Sequence, residues 1–419
     1  MAQPDRAKLG ALQPAAQPAP AGIFAALRAP GYPRLWTSGW LWNLTRWMAV
    51  FLASYLINQR TGSPLLVQLG GAAFYTPILL GGALGGVISD RFDRRIALMT
   101  QLAILIPVTG LMGVLTLADR LPIWLLFPFM FVVGAGWVVD MTSRRALVFD
   151  MVGAERITNA MALEAMSQTG GAMLGNLLGG AVINFVGIGQ TFLAMAAVYA
   201  IAWLCLVGLP PVPRGHVPTS GSSVRADLVA GFRYVRGQRI LLGVLGVTVL
   251  VNCFYYPYQP LVPVVADRMQ VNAFWAGLLA ASAGVGSLGA VSLIAANRRQ
   301  RRGWTYLGGA ALALAGVLVF AASSRYAVAL VGLIIAGAGQ ACFNTMQGTI
   351  TLASATPAMR GRALGVISMG IGVLPVSLPL VGLAAQVAGP QAALLGTTLL
   401  GLILLALWTI RSTDLRAVT

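Results

Sequence analysis

Three ionisable side chains lie inside long apolar segments of this 419-residue sequence: Arg46, Asp140 and Glu164. A charged side chain within hydrocarbon costs roughly 2.5–3.5 kcal/mol on insertion scales, so each of the three must face a cavity or have a partner. A carboxylate in a partly desolvated cavity can take up and release a proton as its surroundings change. These side chains are therefore the first candidates for chemistry.

Glu164 is the leading candidate for proton exchange. It begins a series with spacings of 4, 3, 4 and 4 that continues through Gln168, Gly171, Gly175 and Gly179. These spacings place the carboxylate on the same helix face as the glycines, so it should point into the protein and not into lipid. A structural ion pair with Arg46 and a direct contact with a cationic substrate are the alternatives.

Arg46 and Asp140 each allow two interpretations. Arg46 lies too deep in its apolar segment to reach the membrane interface, so it either neutralises an acidic side chain or binds an anionic group of a substrate. Asp140 precedes Arg144 and Arg145 by four and five residues. This spacing favours a local salt bridge over a contact with substrate.

Polar and aromatic side chains also recur at helical spacing in several apolar segments. The candidates for lining a cavity are Asn43, Arg46, Trp47, Gln168, Asn252, Tyr255, Tyr256, Gln259, Asn344 and Gln347. A single buried amide is often only an interhelical hydrogen bond worth about 0.6 kcal/mol. Because polar stripes occur in several segments at once, we expect them to share one cavity, and its mixed lining suits small amphipathic molecules.

The elements that must position these residues are membrane spans. Hydrophobic residues make up 58% of the chain and charged residues only 9%, with a mean hydropathy of +0.79, which excludes a soluble globule. A bilayer needs about 20 apolar residues per helical span. Twelve such segments are predicted, at 36–59, 65–88, 96–118, 122–141, 158–185, 190–209, 240–265, 273–296, 304–322, 327–350, 362–387 and 391–410. The fold class is thus an all-α membrane protein.

The basic residues predict the orientation. All but five of the 28 Lys and Arg residues fall in the termini and in alternate loops, which places both termini in the cytoplasm. The exceptions are Arg46, Arg60, Arg120, Arg268 and Arg325. Topology and lipid headgroups explain the net charge of +17, so no nucleic-acid partner is expected. We expect a multi-pass protein of the bacterial inner (plasma) membrane.

A proline-rich stretch in the middle of the chain divides six segments from six. The predicted parts are a disordered cytoplasmic tail at 1–33, an N-terminal six-helix bundle at 34–209, a cytoplasmic linker at 210–239, a C-terminal six-helix bundle at 240–411 and a cytoplasmic tail at 412–419. The composition of the first tail supports its assignment, because it is rich in Ala, Pro and Gln and has no apolar core.

The two halves carry an internal repeat. A shift of 207 residues places 297–302 against 90–95, and three arginines of the later stretch then fall against Arg91, Arg94 and Arg95. The two carboxylates of the earlier stretch are not repeated. Such duplication is typical of secondary transporters built from two bundles that rock about a central site.

The charged stretch 85–95 resembles the signature G-x-x-x-D-R-x-G-R-R of the major facilitator superfamily. Asp93 stands where that family usually has glycine. The resemblance implies two pseudo-symmetric six-helix bundles around a central cavity, and a gate on the cytoplasmic side. The gate candidates are Asp90, Arg91, Arg94, Arg95, Asp140, Arg144 and Arg145.

Two further stretches resemble exporters of that superfamily. Residues 171–180 are similar to the antiporter signature G-x-x-x-G-P-x-x-G-G, through Gly171, Gly175, Gly179 and Gly180, with Asn176 in the place of proline. Glycines four apart suit a sliding or occluding contact between the bundles. Residues 143–160 are similar to a loop of the branch that contains bacterial enterobactin exporters. In contrast, Met130 stands where drug/proton antiporters have an arginine, four residues before Gly134.

These resemblances imply a secondary active, alternating-access exporter, coupled to protons by antiport, for a drug-like or siderophore-like molecule. The alternative is a substrate:proton symporter or a uniporter that imports a metabolite. A membrane-embedded enzyme is a remote alternative, because the only histidine, His216, lies in the linker and no acidic cluster could bind a metal. We expect no cofactor and no metal, and a monomer whose partners are a small-molecule substrate, protons and the lipid bilayer.

Overall fold

The computed structural model describes residues 24–91, 93–209, 224–296 and 301–418. At 81–91, 154, 224–228, 295 and 358 the description is limited to the backbone. The described residues are almost entirely helical. Below, the first half means residues 24–209 and the second half residues 224–418.

The first half consists of five long helices. They are α1 (Tyr32–Thr61), α2 (Pro64–Arg91), α3 (Arg94–Leu117), α4 (Leu126–Phe185) and α5 (Ile188–Val207). α3 begins directly after Asp93, whose carboxylate accepts hydrogen bonds from the backbone N–H groups of Arg95 at 2.9 Å and Ile96 at 3.2 Å. Asp93 therefore acts as an N-cap. Its φ of −61° needs no glycine, which explains why aspartate is compatible with this position.

The loop predicted between residues 142 and 157 is helical, which corrects the sequence-based boundaries. α4 runs through this region for 60 residues and departs from helical geometry at Gly153, where φ is 70° and ψ is 173°. The sequence offers one glycine there and no proline, so the backbone turns at a single point. We call the parts of α4 before and after Gly153 its first and second limbs.

The second half contains more and shorter helices. They are α6 (Val224–Gly237), α7 (Arg239–Phe254), α8 (Tyr258–Arg268), α9 (Ala273–Ala296), α10 (Arg302–Ala322), α11 (Tyr326–Ser354), α12 (Arg360–Ser368), α13 (Leu374–Ala388), α14 (Pro390–Arg411) and α15 (Thr413–Arg416). Two predicted spans are each divided in two. The break between α7 and α8 ends at Pro257, which has no N–H to donate. A short 3₁₀ helix, Met369–Val373, separates α12 from α13.

The helices confirm the predicted fold class. Each of the twelve predicted segments is occupied by helix. Among the described residues, nine helices are long and apolar enough to cross a membrane, and Pro64–Leu80 forms a shorter apolar helix. The chain is therefore an all-α, multi-pass membrane protein, and the exact number of twelve spans stays a prediction.

The beginning of α1 and the end of α14 define one face of the protein, which we call the terminal face; the other is the opposite face. The C-terminal segment is docked on the terminal face, not free. Leu415 is fully buried, and a side chain at Gly303 would collide with the Leu415 carbonyl oxygen, 1.9 Å from the added Cβ. Gly303 also donates its N–H to the Val418 carbonyl at 3.0 Å. The predicted tail at 412–419 is thus packed up to residue 418.

Candidate functional site

A cavity of about 940 Å³ lies between the two halves. Side chains of α1, α2 and both limbs of α4 line it from the first half, and residues of α7, α8, α9 and α11 to α13 line it from the second. The lining reaches Arg145 and Gly365 near the terminal face, and Arg145 is exposed there. The cavity is thus accessible from the terminal face.

At the opposite face, side chains of the two halves bind each other. Asn58 Nδ2 donates to Asp267 Oδ2 at 3.2 Å, and Ser63 Oγ donates to Gln386 Oε1 at 2.8 Å. Gln68 is fully buried, and its Nε2 donates to the Pro257 carbonyl at 2.7 Å. These hydrogen bonds close the cavity on this side.

Two glycines bring the backbones together at the same face. An added Cβ at Gly180 would lie 2.3 Å from the Ala273 carbonyl oxygen, and one at Gly277 would lie 2.6 Å from the Asn176 carbonyl oxygen. Real Cβ atoms do not approach other atoms so closely, so only glycine fits at both positions. We call this contact between α4 and α9 the glycine seal.

The glycine ridge of the second limb of α4 packs within its own half, which corrects the expectation of a contact between bundles. Added Cβ atoms would lie 2.6 Å from Asn43 Cβ at Gly171 and 2.4 Å from the Leu44 carbonyl oxygen at Gly175. Gly179 likewise faces α1. Of the four glycines of the antiporter-like stretch, Gly180 is the one that meets the second half, and Asn176 lines the cavity.

Nine of the ten predicted lining residues line the cavity: Asn43, Arg46, Trp47, Gln168, Asn252, Tyr256, Gln259, Asn344 and Gln347. The prediction is wrong for Tyr255. Its side chain is fully buried, and its hydroxyl lies 3.2 Å from Gln340 Oε1 and 3.4 Å from the Ala336 carbonyl oxygen. Tyr255 therefore attaches the end of α7 to α11 and does not contact the cavity.

Neutral hydrogen bonds organise the second half of the lining. Gln340 Nε2 donates to the Tyr256 hydroxyl at 3.2 Å, and Gln347 Nε2 donates to Thr248 Oγ1 at 2.6 Å. The Thr248 hydroxyl also lies 3.2 Å from that of Tyr306. This network fixes aromatic and amide groups in place without any charge.

Glu164 lies in the lining of the first half. Its side chain is 7% exposed, and Oε1 has no hydrogen-bond partner among the described residues. Its electrostatic neighbours are Arg144, Asp140, Arg145 and Tyr32. The alternative of an ion pair with Arg46 is wrong, because the ion pairs found within the described ranges include neither residue. A carboxylate so placed can exchange a proton with water that enters the cavity.

Arg46 is held by aromatic rings. Its guanidinium carbon lies 4.5 Å from the ring centroid of Trp137 and 5.3 Å from that of Trp47. Nη2 donates to Asn43 Oδ1 at 2.9 Å, whereas Nε has no partner in the part of the chain that is described. Trp137 lines the cavity but is absent from the predicted lining residues. Its position three residues before Asp140 is the signal that places both on one face of a helix.

The ion pair predicted between Asp140 and Arg144 is present and buried. Arg144 Nη2 and Nε donate to Asp140 Oδ1 at 2.6 and 2.8 Å, and Nη1 donates to the Leu35 carbonyl at 2.8 Å. Gly39 leaves room for this guanidinium, since an added Cβ would lie 3.1 Å from Nη1. The pair therefore connects α4 to the beginning of α1, next to Glu164.

Two arginines of the signature stretch attach α3 to neighbouring helices. Arg94 forms an ion pair with Asp150 of α4, and Arg95 Nε donates to the Leu206 carbonyl at 3.1 Å. The side chains of Asp90 and Arg91 lie outside the described residues. No group of three or more potential metal ligands occurs among the residues that the structure describes.

Comparison with known proteins gives one family. The sequence model of the Major Facilitator Superfamily matches residues 35–373. One relative is the multi-drug resistance efflux pump PmrA homolog of Lactococcus lactis subsp. lactis, 23% identical over 252 residues. This match covers 57% of the chain and 58% of the pump, so it spans little more than half of the pump's length.

Solved structures share the fold. A mutant of the nucleoside transporter NupG aligns with a TM-score of 0.73 at 13% identity, over 91% of this chain and 99% of NupG. A bacterial homolog of the human lysosomal transporter Spinster, in an inward-facing and unoccupied conformation, aligns with a TM-score of 0.70 at 17% identity. That alignment covers 92% of this chain and 96% of the homolog.

Proposed function

Because the chain belongs to the major facilitator superfamily, it is a transporter and not an enzyme, and we propose that it exports small amphipathic molecules in exchange for protons. Drug-like and siderophore-like compounds are the proposed cargo. The partial match to a multidrug efflux pump supports export, and the lining of aromatic and amide side chains supports amphipathic cargo.

One observation carries the coupling to protons: Glu164 is a cavity-lining carboxylate without an ion-pair partner among the described residues. The other lining carboxylate, Asp140, is neutralised by Arg144. Protonation of Glu164 removes a charge from the cavity, and its ionisation restores that charge. A group of this kind lets one cavity bind the proton and the cargo in alternation.

The proposed orientation places the terminal face in the cytoplasm and the protein in the bacterial plasma membrane, with the two bundles rocking about the cavity. The distribution of basic residues supports this orientation. The cavity would then load cargo from the cytoplasm while the glycine seal excludes the exterior. The proposed cytoplasmic gate consists of Asp90, Arg91, Arg94, Arg95, Asp140, Arg144 and Arg145.

Transport into inside-out vesicles tests this function. An acidic lumen is imposed, and the uptake of a panel of fluorescent amphipathic dyes is followed with and without a protonophore. We expect uptake that requires the gradient. Glu164→Gln should abolish this uphill uptake but leave dye binding measurable, because the amide cannot release a proton.

The chain offers a matched control, since Glu155 is its only other glutamate and lies exposed on the same limb of α4. Glu155→Gln should retain uptake close to that of the wild type. Unchanged uphill uptake by Glu164→Gln would exclude Glu164 as the coupling group. Accumulation driven by a proton flux in the same direction as the dye would show symport and overturn the proposed export.

A further inference from the structure

Arg46 is a cation that the described fold leaves without a counter-ion. Its side chain is 3% exposed, and it takes part in none of the ion pairs found among the described residues. Nη2 donates to Asn43, while Nε has no partner in the same part of the chain. A guanidinium has five N–H donors and stays charged in proteins. Most of its capacity to bind an anion is therefore unused.

The tryptophans hold this guanidinium by its faces and not by its edges. Trp137 is itself fixed, because its ring stacks on Phe74 with the centroids 5.5 Å apart and meets Tyr75 edge-on at 6.0 Å. Cation–π contacts stabilise a desolvated charge without using its N–H groups. Apart from the hydrogen bond to Asn43, the edges of Arg46 thus have no partner among the described residues. A planar acceptor such as a carboxylate can bind two of these N–H groups at once.

The charge balance of the cavity also favours an anion. Five charged side chains line it among the described residues, and Asp140 pairs with Arg144. Arg46 and Arg145 remain against Glu164, so the described lining is net positive whether or not Glu164 carries a proton. Asp140 also attracts Arg46 but is hydrogen-bonded to Arg144. All lining residues from the second half are uncharged. An anionic group reduces this excess of positive charge, whereas a cationic group increases it.

We propose that Arg46 is an anion-binding subsite of the cavity, at which the acidic group of an amphipathic cargo binds. A carboxylate or a similar oxyanion accepts hydrogen bonds from the free N–H groups of Arg46. The apolar body of the cargo lies against Trp47 and the aromatic side chains across the cavity, among them Tyr256. This inference rests on the proposed function, because it names the chemical class of the exported molecule.

Equilibrium binding to the full-length protein in lipid nanodiscs tests the subsite. The probes are phenylbutyrate, phenylbutyramide and phenylbutylamine, which share one apolar body and differ in the charge of the head group. We expect the carboxylate to bind about tenfold tighter than the amide, and the amine to bind most weakly. Isothermal titration calorimetry measures the three dissociation constants, and the variants below report the location.

Variants distinguish this subsite from a diffuse positive field. Arg46→Gln should bind the carboxylate and the amide equally. Arg46→Lys, which keeps the charge but not the planar fork, should retain only part of the preference, and it serves as the second test if the glutamine variant does not fold. Arg145→Gln removes the other unpaired lining cation and should keep most of the preference.

Several outcomes would overturn the subsite: equal binding of carboxylate and amide by the wild type, tighter binding of the amine, or an equal loss of preference in the Arg145 and Arg46 variants. Failure of this inference is separable from failure of the proposed function. Export that depends on Glu164 but favours neutral or cationic dyes would remove the subsite alone. An intact preference for anions together with import would contradict only the proposed direction of transport.

Discussion

The first half of the chain supplies all five charged side chains that line the described cavity, whereas the second half supplies neutral amides, aromatics and small residues. The two halves are of similar length, yet their polar chemistry differs in kind. A buried charge needs compensation. In the first half Asp140 pairs with Arg144, and the guanidinium of Arg46 contacts tryptophan rings. Hydrogen bonds in the second half, such as that from Gln340 to Tyr256, are individually weak. The charges of the described cavity thus come from one half and its neutral walls from the other.

The buried pair of the first half should give the largest effect on stability. Asp140→Ala leaves Arg144 buried without its partner, so we expect a loss of about 3–5 kcal/mol in the free energy of unfolding. Chemical denaturation in detergent micelles measures it. The double variant Asp140→Ala with Arg144→Met should recover most of this loss, because no uncompensated charge remains. A loss below about 1 kcal/mol in the single variant would show that the buried charges of the first half contribute no more than an exposed ion pair.

Each half contributes one glycine to the glycine seal. We therefore expect substitutions in the two halves to have similar effects there. Gly180→Val and Gly277→Val should each destabilise the closed opposite face by a similar amount, about 1–3 kcal/mol. A reporter cysteine at Ser54, in a background without the native cysteines, should then react faster with a thiol reagent added from that face. Gly289→Val is the matched control on α9, since nothing lies within 4 Å of its added Cβ. Equal labelling in all three variants would argue against a seal.

The neutral half should give the smallest effect. Gln347→Leu removes the hydrogen bond to Thr248 but leaves the threonine hydroxyl bonded to the Val244 carbonyl. We expect a loss of about 0.5–1.5 kcal/mol in the free energy of unfolding, measured in the same denaturation assay. A loss as large as that of Asp140→Ala would show that the second half carries its own indispensable polar centre.

The sequence predicted features that depend on one helix at a time. Hydrophobic length located the helical segments, and the spacing of four residues predicted the pair of Asp140 and Arg144. The same logic located most of the cavity lining, because the face of a helix follows from its period. The predicted loop between residues 142 and 157 was wrong. α4 continues to Gly153 because neither proline nor a second glycine stops it.

Partners on different helices were harder to predict. Of the two interpretations of Arg46, the ion pair with an acidic side chain is absent from the described ion pairs. Arg46 contacts Trp47 and Trp137, since the angle between two helices decides which side chains meet. Tyr255 belongs to the predicted aromatic group, yet the break before Pro257 turns it toward α11. The helical period of the sequence predicts neither the angle between two helices nor the direction in which a side chain points after a helix break.

The break at Pro257 has a consequence for how this protein can change over evolution. The acceptor that Gln68 binds across the halves is a backbone carbonyl, and every amino acid supplies this oxygen. Substitutions at position 257 alter the ring but keep this atom, whereas almost any substitution of Gln68 removes the donor. Mutational tolerance should therefore be unequal on the two sides of one hydrogen bond. Position 257 should therefore tolerate those substitutions that keep the break, whereas position 68 should tolerate almost none.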